Sequence, residues 1–81
     1  MEVIPINNKR RDMLKRASSL LGSASVLVSN ALDGEEDALD NMPENLQNSD
    51  RYEKMEEAVD LLNDASACID AAIDKIKEAA S

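Results

Sequence analysis

Histidine, phenylalanine and tryptophan are absent from this chain, and cysteine and tyrosine occur once each, as Cys68 and Tyr52. Each gap closes a class of chemistry. Without an imidazole and with a single thiol, the chain holds no intrachain disulfide and no Cys/His metal site. Nucleophilic triads also lack their usual base. A lone Cys among helical apolar positions reads as a small buried hydrophobe. Only Gly22, Gly34, Pro5 and Pro43 interrupt the backbone chemistry, so no glycine-rich phosphate loop exists. The apolar residues are Ala, Leu, Ile, Val and Met, a mix that favours helix over sheet. The longest uncharged run, "ASSLLGSASVLVSNAL", is too short and too rich in Ser to cross a bilayer. No signal-peptide pattern opens the chain, so the expectation is a soluble, cytoplasmic protein without membrane contact.

What is abundant is acid. The net charge is -8 over 81 residues, enough for one small domain. It is unevenly spread: residues 1–30 balance to +3 and residues 31–81 to -11. That pattern argues against direct nucleic-acid binding, while leaving room for a basic partner or a small anion. Carboxylates at Glu56/Asp60 and Asp70/Asp74 share helix faces, a spacing that usually marks a solvated surface. No catalytic residue, metal ligand or cofactor site is expected, and the chain reads as a non-enzyme.

The apolar residues carry a seven-residue period. Leu14, Leu21, Val28, Glu35 and Met42 form one row, and Ala17, Ala24, Ala31 and Ala38 follow its first four members by three. The second half repeats the device with Met55, Leu62, Ile69 and Ile76, each followed by Ala58, Ala65, Ala72 and Ala79. Two heptad helices with a large row and an alanine row fit together when antiparallel. Ala17 then faces Ile76, Ala24 faces Ile69, Ala31 faces Leu62 and Ala38 faces Met55. On the other row, Leu14, Leu21, Val28 and Glu35 face Ala79, Ala72, Ala65 and Ala58. The expected fold is all-α: an antiparallel two-helix coiled-coil hairpin with an alanine-rich seam, assembling into a four-helix bundle or higher oligomer.

The expected organisation is an extended N-terminal arm over 1–8 and a single hairpin over 9–81. The hairpin comprises a helix over 9–42, a turn over 43–49 and a helix over 50–80. Asn7 or Asn8 can cap the first helix, and Ser49 or Asp50 the second, with Asp50 and Glu53 at capping-box spacing. Pro43 ends the first helix and can itself begin a short helical turn in "PENL". Gly34, after Asp33, is the weak point of helix one, since a mid-helix Gly costs about 1 kcal/mol relative to Ala.

Two helices cannot surround a core. Met13, Leu20 and Leu27 are expected along one edge of helix one, with Leu61 and Cys68 on the same side of helix two. Leu32, Leu39, Leu46, Val59 and Ile73 are expected on the other side. Met13, Leu20, Leu27, Leu32, Leu39, Val59, Leu61 and Ile73 are therefore candidates for an interface with a second copy or with another protein. "NNKRRDMLKR" concentrates Lys9, Arg10, Arg11, Lys15 and Arg16 in the first turns of a helix, where the dipole disfavours cations. Asp70, Asp74 and Glu78 can neutralise them across the hairpin. Otherwise they form a candidate anion site.

The stretch "EEDALDNMPENLQNSDRYEKMEEAVDLLNDASACIDAAIDKI" resembles a group of small helical-hairpin proteins of phages and prophages of Gram-positive bacteria. The likeness covers about residues 35–79, and "DNMPENLQNS" is its most specific part. The basic first helix and the "MEVIPI" arm fall outside it, and Gly34 departs from the acidic residue of the pattern. The resemblance implies a phage origin and a helical hairpin, with no catalytic or binding residue to carry over. The expectation is a non-enzymatic phage accessory protein in the bacterial host cytoplasm. It would antagonise a host defence system by directly binding an immune protein or its signal. Two alternatives stand beside it: a sponge that sequesters a nucleotide immune messenger through the basic cluster, and a structural or scaffolding coiled-coil module of the phage.

Overall fold

A computed structural model describes residues 7–81, and the expected N-terminal arm falls almost wholly outside them. Helix α1 spans Asn8–Asp40 and helix α2 spans Asp50–Ala80, joined by a turn that contains one 3-10 segment, Glu44–Leu46. The two helices pack side by side in a rod of 66 × 23 × 13 Å. Its radius of gyration is 18.7 Å, against about 12 Å for a compact domain of this length. The molecule is an all-α helical hairpin.

Local chemistry accounts for the ends. Asn7 is extended, with ψ 163°, and its Oδ1 accepts the Arg10 N–H at 2.8 Å. That bond satisfies one of the four orphan donors at the start of α1. The helix runs unbroken through Gly34, which has an ordinary negative φ. It ends at Asp40, two residues before the expected boundary. Asn41 closes it twice over, its backbone N–H and its side-chain Nδ2 both donating to the Asp37 carbonyl at 3.0 and 2.8 Å. Met42 sits outside the helix because it precedes Pro43, whose ring disfavours α geometry at that position.

Pro43, at ψ 144°, redirects the chain, and its carbonyl accepts the Leu46 N–H at 2.9 Å to start the 3-10 segment. Gln47 Nε2 reaches back to the Met42 carbonyl at 3.3 Å, bracing the turn. Ser49 caps α2: its Oγ accepts the Tyr52 N–H at 3.2 Å and donates to the Leu46 carbonyl at 2.6 Å. Asp50 thus lies inside the helix, and with Glu53 it contributes charge to the first turn without acting as the cap.

The face along which the helices meet differs from the alanine seam by a small rotation. On α1 the half-buried positions are Leu14, Ser18, Leu21, Ser25, Val28, Leu32, Glu35 and Leu39, continuing to Met42 beyond the helix end. On α2 they are Tyr52, Met55, Val59, Leu62, Ser66, Ile69, Ile73, Ile76 and Ala80. The second row therefore follows the first by four residues, where the sequence reading took three. Ala17, Ala24, Ala58, Ala65 and Ala72 are half-buried beside the seam, whereas Ala31, Ala38 and Ala79 are exposed.

Helix geometry and area explain the preference. At 100° per residue, the position four ahead lies 40° from the large row, and the position three ahead lies 60° away on the other side. Both fit a heptad, so side-chain size decides. Leu32, Leu39, Val59 and Ile73 occupy the four-ahead row, and burying each removes more apolar area from water than burying an alanine, at about 0.8 kcal/mol per CH₂.

Paired in antiparallel order, these rows set Leu14 opposite Ala80, Leu21 opposite Ile73, Leu32 opposite Leu62 and Leu39 opposite Met55. Leu14 and Ala80 line one shallow cleft with Ser18, Lys15, Lys77 and Ser81, which brings the start of α1 against the end of α2.

Candidate interaction surface

Labelling the seam as positions a and d of a heptad places every alanine row at g. In an antiparallel pair the two g rows lie on the same side of the seam, and each is flanked outward by its c row. Across one broad side of the hairpin the order is then Met13, Leu20 and Leu27; the α1 alanines; the α2 alanines; Leu61 and Cys68. The ridge residues are bare: Met13 is 61% exposed, Leu20 69%, Leu27 70% and Leu61 60%. Cys68 is exposed as well, which overturns its reading as a buried hydrophobe. The ridge on α2 is closed at its ends by Lys54 and Lys75.

The opposite side is built from positions e and b and is polar, with Asp12, Ser19, Asp33, Glu53, Asp60 and Asp70 among its residues. Val26, 59% exposed, is the large apolar residue on that side. Lys15 and Lys77, both at e, line the same cleft, which fixes which sides of the two helices lie together.

Of the eight candidate interface residues, the structure brings four together on the alanine-floored side: Met13, Leu20, Leu27 and Leu61. Leu32, Leu39, Val59 and Ile73 are instead half-buried between the helices. Leu46, 45% exposed, belongs to the turn. The floor residues Ala31, Ala38 and Ala79 were missed as surface. Their signal was present in the heptad spacing but fitted the seam equally well.

The basic cluster is dispersed. Lys9, Arg10, Lys15 and Arg16 are exposed and Arg11 is half-buried. At 100° per residue the five point around the whole circumference of α1, so they do not converge on one ligand. The Asn7 side chain already occupies one of the N-terminal donors an anion would use. Arg11 Nε is shielded from solvent without a hydrogen-bond partner among the described residues. No group of three or more Cys, Asp or Glu among the described residues is arranged to hold a metal ion. No helix of the described residues is long and apolar enough to cross a membrane. No family model, curated protein or solved structure matches this chain.

Proposed function

We propose that this chain is a non-enzymatic binding protein that works as a homo-oligomer. Its action, on this reading, is that of a phage accessory protein: it antagonises a host defence system inside the bacterial cell by directly binding an immune protein. One observation carries the self-association. No described residue of the hairpin is buried, although 43% of the sequence is hydrophobic. The accessible surface is 6450 Å², against roughly 4,800 Å² for a compact monomer of this mass. A chain with these helices and ridges keeps its apolar side dry by covering it with another helical surface.

The acidic turn half supports binding of a protein with a basic surface, since complementary fields speed association and select partners. A nucleotide sponge gains less support, because its five cations point in three directions around α1, Lys9 with Arg16, Arg11 with Lys15, and Arg10 alone. A scaffolding role draws on the rod shape and the self-association, and it requires the protein in purified virions.

Native mass spectrometry of the full chain, purified from expressing bacteria, tests the reading. The expected species is a homo-oligomer, alone or bound to a host protein. A bare monomer at tens of micromolar would refute self-association, and an oligomer retaining a nucleotide would move the assignment to the sponge.

A further inference from the structure

We propose that the surface floored by alanine receives a second copy of this chain, face to face and with its rod reversed, so that each turn lies over the other's open end. The inference rests on the self-association reading and specifies its geometry. Charge decides the direction. The open half, residues 7–30 with 65–81, carries seven basic and four acidic side chains, a balance of +3. The turn half, residues 31–64, carries two basic and twelve acidic ones, a balance of -10. Stacking two hairpins with their turns at the same end would set -10 against -10. Reversing one sets -10 against +3 at both ends, where like charges no longer oppose each other.

Shape agrees with that arrangement. A reversed copy lays α1 antiparallel on α1 and α2 antiparallel on α2. A single register then places Leu27 over Ala24 of the second copy, Leu20 over its Ala31 and Met13 over its Ala38. Each ridge residue of α1 sits on an alanine, so the backbones approach closely and the gap is filled. On α2 the same placement, carried through the hairpin's own register, sets Leu61 and Cys68 level with Ile76 and Ile69 of the second copy, each between two of its alanines. The size complementarity visible in the heptads thus serves the contact between hairpins.

Area is sufficient. The alanine floor from Ala17 to Ala38 is about 32 Å long at 1.5 Å per residue, and the rod is 23 Å wide. Their product, roughly 700 Å² per copy, approaches the about 800 Å² per partner of a stable interface.

Cys68 reports the geometry directly. In the reversed stack the two Cys68 thiols lie on facing ridges, about 2 Å apart along the rod. With turns at the same end, α1 covers α2 and the thiols lie at opposite edges of the bundle. The test is mild oxidation, or a short bis-maleimide, applied to the full chain at a concentration where native mass spectrometry shows the dimer. The expected result is a covalent dimer linked through Cys68 in most of the protein. It should be absent from Cys68→Ser, and absent from Cys68→Ser carrying Ser23→Cys on the outer face. Far-UV circular dichroism shows that each variant keeps its helices.

A dimer by mass that gives no Cys68 link overturns the reversed arrangement while leaving self-association standing. So does a mixed link, formed without the Cys68–Cys68 link, between Cys68 of the unsubstituted chain and the new thiol of a chain carrying Leu27→Cys and Cys68→Ser. A monomer by mass overturns both.

Discussion

Replacing Leu32 by alanine separates the observed seam from the one that alanine spacing suggests. In the alanine seam Leu32 is an outer residue and its truncation is nearly silent. In the structure it is half-buried, opposite Leu62. The substitution deletes the equivalent of three methylenes, which at about 0.8 kcal/mol each comes to about 2.4 kcal/mol for complete burial. Partial exposure lowers this. The cavity contribution is also small, because a two-helix seam is open to collapse and to water. The expected loss is about 1.5–2 kcal/mol, a fall in Tm of about 6–16 °C for a domain of this size.

Val26→Ala is the matched control. Val26 is 59% exposed on the polar side, so little burial is lost, and alanine's better helix propensity offsets it by a few tenths of a kcal/mol. Thermal and urea melts followed at 222 nm measure both, repeated across a hundredfold concentration range to separate dimer dissociation from hairpin opening. If Leu32→Ala melts together with Val26→Ala at every concentration, the four-ahead row is not the seam. The register derived from it, including the contacts between hairpins, then falls with it.

Gly34→Ala should stabilise the chain by about 1 kcal/mol, since the position is mid-helix with negative φ and an added Cβ meets nothing within 4 Å. A Tm that fails to rise would mean that α1 is not continuous there. Ser49→Ala removes both the cap on the Tyr52 N–H and the bond to the Leu46 carbonyl. It should cost about 1 kcal/mol, with Ser49→Asp recovering most of it. Equal melting curves for wild type and Ser49→Ala would show that the cap contributes nothing.

Much of this protein is decided locally and can be read from the chain. Two long helices follow from stretches rich in Ala, Leu and charged residues with no proline inside them, and α1 runs through Gly22 and Gly34. Their ends follow from Asn7, Pro43 and Ser49, whose side chains and ring act on backbone groups within a few residues. The turn follows from "MPENLQNS" for the same reason. The heptad period announces that two helices meet, and the charge imbalance announces two unlike ends.

What no single helix contains is the choice of face. The row three residues ahead and the row four residues ahead both repeat every seven residues and both lie within 60° of Leu14, Leu21 and Val28. Only the partner helix determines which of them is covered, because the energy lies in the combined area removed from water. Leu32, Leu39, Val59 and Ile73 supply more of that area than the alanines do, so the tertiary structure turns them inward. That rotation leaves the alanines as the floor of an exposed surface and Cys68 on its rim. The sequence by itself determined that there are two helices, where they stop and that they pair. The tertiary structure decided which side remains free to bind, since burial is a property of two helices together.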